Sequence, residues 1–163
     1  MKRLISSAFI CLSFFFSYSQ NITIGNLEKV LKLDLYETDI SLSGLGFSYY
    51  STDSNELCTF HMFRKDEFKK IEEYTTVMKF FCEEIYKIQY AVFNKSIFNS
   101  LRDEAVKLNY KLLTTKTDER GLRSTFMNTK NSFFIDFSQG QLKTEDKTYT
   151  EYMVELYCLK SNL

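Results

Sequence analysis

Strict alternation of apolar side chains is what most limits the folds open to this chain. From Leu57 to Phe63, an extended backbone sends Cys58, Phe60 and Met62 one way and Thr59, His61 and Phe63 the other. The rhythm returns at Tyr86–Val92, where Tyr86, Ile88, Tyr90 and Val92 alternate with Lys87, Gln89 and Ala91. It returns again at Tyr149–Leu159, with Tyr152, Val154, Leu156 and Cys158 on one side. Tyr110–Thr117, Leu122–Asn128 and Ser132–Phe137 read as three further strands, parted by turns at 118–121 and 129–131. A polar loop is expected over 140–147. Sixteen Phe and eleven Tyr agree with a sheet-rich chain, and the absence of Pro argues against Pro-rich linkers.

Helical spacing appears in two places. Residues 26–33 bring Leu27, Val30 and Leu31 to one face, and from about Ser96 the residues Ile97, Leu101, Ala105 and Leu108 line up. Ser100 with Asp103 has the form of a capping box inside the second run. Residues 40–51 look strand-like around Gly44 and Gly46, a pair expected to mark a bulge or strand crossing. Residues 66–82 carry both periods, and we read a short helix or loop followed by a strand from Tyr74. The expected class is therefore α+β.

A shift of 75 residues lays one half of this pattern on the other. Cys58, Phe60 and Met62 then fall on Phe133, Ile135 and Phe137, Gly46 on Gly121, and Tyr74-Thr75 on Tyr149-Thr150. With a one-residue slip, such as a bulge absorbs, Cys82 falls on Cys158. The expectation is two units, 20–93 and 94–163, each a helix followed by an antiparallel meander.

The start of the chain has the layout of an export signal. Met1-Lys2-Arg3 is positive, Leu4–Phe16 carries no charge, and Ser17-Tyr18-Ser19 places small residues before a cut ahead of Gln20. Residues 1–19 are thus expected to be removed, giving an exported protein, periplasmic or extracellular, with no integral membrane segment in the mature chain. Losing Lys2 and Arg3 from 21 basic residues leaves 19 against 21 acids, a balance that argues against nucleic acid as a partner.

In length, export and repeat period the mature chain resembles the β-lactamase-inhibitor-protein family, tandem repeats of helical segments on four-stranded sheets. The resemblance is one of architecture. It implies a concave aromatic face that binds an enzyme, and it transfers no residue role.

Chemistry-bearing groups are sparse. His61 is the sole histidine, and on a strand it points away from Cys58, so the two make a poor nucleophile–base pair. Glu83-Glu84 and the pair Glu151 and Glu155 read as solvated carboxylates, and Gly44-x-Gly46 opens no helix and cradles no phosphate. Sequons stand at Asn21 and Asn94. No metal site, cofactor or catalytic set is expected. Three cysteines follow the export signal. Cys58 and Cys82 are expected to form a disulfide across a hairpin, since both share a face with Phe60 and Phe80. Aligning Phe63 with Tyr74 brings them within a few residues of register, and leaves Cys158 as a buried thiol.

What remains is aromatic surface. If Phe60, Met62, Ile135 and Phe137 face the core, then Phe63, Phe81, Phe134 and Tyr157 form an opposite face suited to a protein partner. The expected function is an exported, non-catalytic binding protein that acts through this face. The alternatives are a secreted inhibitor or immunity-type protein for one enzyme or toxin, and a cysteine-dependent hydrolase.

Overall fold

A computed structural model describes residues 21–65, 74–118 and 121–160. The expected export signal at 1–19, and residues 66–73 of the ambiguous stretch, lie outside them. The chain runs α1 (Ile24–Leu31), α2 (Leu35–Ser43), β1 (Ser48–Ser54), β2 (Cys58–Lys65), β3 (Thr75–Cys82), β4 (Ile85–Val92), α3 (Lys95–Lys107), β5 (Lys111–Asp118), β6 (Gly121–Asn128), β7 (Phe133–Lys143) and β8 (Thr148–Leu159). All eight strands form one antiparallel sheet in the order β1-β2-β3-β4-β8-β7-β6-β5. The α+β class stands. The two expected units meet along β4 and β8, so their meanders form one continuous sheet.

The helices bury their apolar stripes against one sheet face. Ile24, Leu27, Val30 and Leu31 of α1, Leu42 of α2, and Phe98, Leu101 and Ala105 of α3 join a single core. Their sheet partners are Phe63, Val77, Ile88, Tyr90, Phe126, Ile135, Phe137, Val154 and Leu156. Polar contacts tie the halves together beneath this layer. Glu104 of α3 accepts the Ile24 and Gly25 amides at 3.0 and 3.4 Å, a carboxylate meeting the unpaired N–H groups that start α1. The Tyr110 hydroxyl donates to Glu28 at 2.6 Å.

Of residues 40–51, only those from Ser48 on form the expected strand, and 40–47 end a helix instead. Asp34 caps α2 by accepting the Glu37 amide at 2.8 Å, and Thr38 and Leu42, one turn apart, supply its buried stripe. Gly44 is the C-cap and Gly46 has φ +86°, so the pair ends a helix rather than bulging a strand. In α3 the cap is Asn94, which accepts the Ser96 and Ile97 amides, in place of the expected Ser100–Asp103 box. β7 also runs further than expected, to Lys143, where Gln141 and Leu142 pair with Thr150 and Tyr149. The loop shrinks to a turn closed by the Thr144 amide on the Lys147 carbonyl at 2.8 Å.

The offset of 75 does not match equivalent elements, because it lays β2, second in its meander, on β7, third in the other. A spacing of 63 relates α2, β1 and β2 to α3, β5 and β6, but it does not carry over to β3 and β4, whose sheet faces it would exchange. Tyr49 pairs with Phe63 and Leu112 with Phe126, each 63 positions on, and each pair adjoins a bulge, at 49–51 and 112–114. The helix ends match too. Gly46 (φ +86°) and Asn109 (φ +66°) take left-handed backbone. One residue later, the Phe47 amide bonds the Leu42 carbonyl and the Tyr110 amide bonds the Ala105 carbonyl, both at 3.0 Å. Where the two meanders join, Gln89 lies opposite Glu155, flanked by Ile88–Leu156 on one side and Tyr90–Val154 on the other.

Candidate functional site: the open face of the sheet

Alternation gives the sheet a second face, and no helix among the described residues covers it. Registers place Phe60, Met62, Met78, Phe80, Lys87, Gln89, Met127, Phe134, Asp136, Met153, Glu155 and Tyr157 there. Most are half-buried, because each flat or flexible side chain leans on its cross-strand neighbour. Phe134 and Tyr157 stack, with centroids 5.4 Å apart and planes 12° from parallel. Phe60 and Phe80 meet at 5.4 Å, and Lys87 lies 4.8 Å over the Phe80 ring. At the margin, Arg64 sits 4.2 Å from the Tyr50 ring and 4.8 Å from Tyr74.

Between these apolar patches runs a polar row. Gln89 donates to Glu155, and Lys87 pairs with the same carboxylate at 3.0 Å. Asp136 stands directly across from Glu155, with Arg123 at 3.7 Å. Burial raises the Asp136 carboxyl above its usual range, opposed by a hydrogen bond from Thr125 and by the Arg123 charge. Its Oδ1 is buried without a hydrogen-bond partner. Burial also raises Glu151, and raises Tyr157 together with the charges of Asp136 and Glu155.

The four aromatics expected to share one face are split by the structure. Phe134 and Tyr157 lie on the open face, whereas Phe63 is fully buried under the helices and Phe81 shares that covered face. The register is the reason. Phe63 pairs with Val77, which pairs with Tyr90, which pairs with Val154 and then Phe137, a row that puts all five toward the helices. Phe60 and Met62 therefore occupy the open face, while Ile135 and Phe137 face the core as expected. The missed members were Phe60, Phe80 and the methionines. Only a helix-facing partner decides which side of β2 and β3 is covered, and both sides are apolar enough to serve.

The disulfide lies at one edge of this face. Cys58 and Cys82 are directly opposed and joined, with Cα atoms 4.3 Å apart. The hairpin pairs Phe63 with Val77 rather than with Tyr74, and that shift of three residues brings the cysteines exactly into register. Cys158 is a free, fully buried thiol. Burial raises its pKa, against the charges of Lys32 and Lys79, which leaves it poorly suited to act as a thiolate. His61 shares a 2.6 Å hydrogen bond with the Thr52 hydroxyl and meets the Phe81 ring edge-on. Burial lowers its pKa. Among the described residues no three His, Cys, Asp or Glu side chains converge as metal ligands, and no helix is long and apolar enough to cross a membrane.

No protein-family model, curated protein or solved structure matches this chain.

Proposed function

We propose that this is an exported binding protein whose open sheet face receives a protein partner. The observation that carries the reading is the surface itself: a stacked Phe134–Tyr157 pair and a tilted Phe60–Phe80 pair, with Lys87 between them and Met62, Met78 and Met127 beside them, on a sheet face without helical cover among the described residues. Aromatic side chains present large contact area at low entropic cost and dominate interface energetics, and flexible methionines adapt their shape to a partner. The basic, apolar, small-residue order of 1–19 supports export, and the Cys58–Cys82 bridge suits an oxidising compartment. An inhibitor or immunity-type protein is the narrower form of this proposal, in which the face fits one enzyme or toxin.

Matched bulges and helix ends at a spacing of 63 support an internal duplication of the unit α2–β1–β2 as α3–β5–β6. Under that reading the two copies stand at opposite edges of the sheet, with β3, β4, β8 and β7 between them.

The test is photo-crosslinking in the producing cell. A photoreactive side chain at Phe60 or Phe134 is expected to trap a discrete partner, while one at Tyr36, exposed on α2, traps none. Equal labelling from all three positions, or none from the open face, removes the proposal.

A further inference from the structure

We propose a second, small-molecule site on the helix-covered side, in the cavity between α3 and strands β6–β8, that takes a small organic anion with a flat apolar body. The cavity measures about 310 Å³, at the lower end of the range usual for small-ligand pockets. Its lining is aromatic: Phe98 meets Phe137 at 5.6 Å in a T-shaped contact and Tyr152 at 5.0 Å, so the three rings form a continuous apolar wall. Ser124 and Gln139 add hydrogen-bonding groups on the strand side.

The charge at the cavity has one sign. Lys95 and Arg102 line it from α3, two helical turns apart and so on one side of the helix, and both are exposed. Among the described residues neither is ion-paired and no carboxylate lines the cavity. An anionic group at this rim gains charge-assisted hydrogen bonds, bidentate where the guanidinium turns its edge to a carboxylate. The ring system behind that group is removed from water against Phe98 and Phe137. A neutral ligand of the same shape gains only the second contribution, so the site discriminates by charge.

The probes are 1-naphthoate and its neutral analogue 1-naphthamide, titrated into the protein while backbone amide resonances are followed. Naphthoate is expected to give saturable shifts at Asn99, Ser124 and Gln139. In the double variant K95Q/R102Q its affinity falls about tenfold or more, while naphthamide binds wild type and variant alike. Both substitutions are at exposed positions, and the unliganded spectrum of the variant reports that the fold is kept. The site is refuted by absence of saturable shifts at those residues, by shifts centred on Phe134 and Tyr157 instead, or by naphthoate affinity unchanged in the variant.

Discussion

Lys79, fully buried in the core, donates its ammonium to the carbonyl of Leu31, the last residue of α1. A cation at a helix C-terminus meets both an unpaired carbonyl and the negative end of the helix dipole. The Phe81 and Tyr86 rings, 5.4 and 5.6 Å away, add their faces. Even so, burial pulls the Lys79 pKa down to about 8, with Lys160 acting in the same direction and Cys158 against it. Below the ordinary lysine value of about 10.4 the unfolded chain holds a proton that the folded one releases, so this group adds stability as pH rises from about 8 to about 10.

Removing the amine isolates that contribution. The stability difference between wild type and K79M is expected to grow in favour of wild type by roughly 2 kcal/mol from pH 7 to pH 10. Urea titrations at both values read it directly. The raised thiol of Cys158 works in the opposite sense, and in K79M, without the Lys79 charge that holds it down, it rises further, which adds to the difference in favour of wild type. A constant difference across that range would mean that Lys79 titrates normally.

The disulfide closes a separation of 24 residues, for which chain entropy gives about 3 kcal/mol. C58S/C82S should lose about that much while keeping the amide spectrum of the sheet. Alkylation of the oxidised protein should modify Cys158 only after unfolding, because its thiol is wholly shielded. Rapid labelling of Cys158 in the native state would contradict its placement.

Asp136 predicts a gain on mutation. Its folded pKa is raised, so stability is expected to fall as pH rises from about 4 through that value, where the folded state keeps a proton the unfolded chain has lost. D136N removes the buried charge at nearly constant shape, and should raise stability at pH 7 by about 1 kcal/mol and flatten that slope. Thermal melts at pH 4, 5, 6 and 7 check it. A loss of stability at pH 7 would assign the Arg123 contact more weight than the desolvation of the carboxylate.

Gly46 and Asn109 predict opposite outcomes from exchange. Left-handed backbone suits glycine better than asparagine, so N109G should stabilise by about 0.5 kcal/mol and G46A should destabilise by about 1 kcal/mol. In G46A the new methyl group also meets the Lys65 side chain, whose nearest atom stands 3.2 Å from the added carbon. Denaturation midpoints of the two variants decide both signs.

Strand positions were legible in the sequence because side-chain alternation is a local property, and β2, β4, β6 and β8 lie within a few residues of their expected bounds. The disulfide was legible for the same reason, since two cysteines on one face of a hairpin need only an approximate register. α2 was not, because only Thr38 and Leu42 of its nine residues are buried, too short a stripe to reveal a helical period. The open face was half legible. Phe134 and Tyr157 were placed by their strand, but β2 and β3 carry apolar side chains on both sides. Which side is covered depends on Val77, Tyr90 and Val154 aligning with Phe63 across four strands, a long-range fact that no local pattern contains.

Six of the seven strand pairings join neighbours in sequence, and the seventh, β4 with β8, is the exception. The entropic cost of bringing distant parts of the chain together therefore concentrates in one seam, at Ile88–Leu156 and Tyr90–Val154. Each meander zips from local hairpins, and the seam closes after them, which makes its assembly the slow step of folding. Substitutions such as I88V should accordingly speed unfolding while leaving the folding rate nearly unchanged if the seam forms after the transition state, and slow folding if its closure is the transition state itself. On the topology described here the second outcome is expected, so that the rate at which this protein matures is set at the line where its two halves meet.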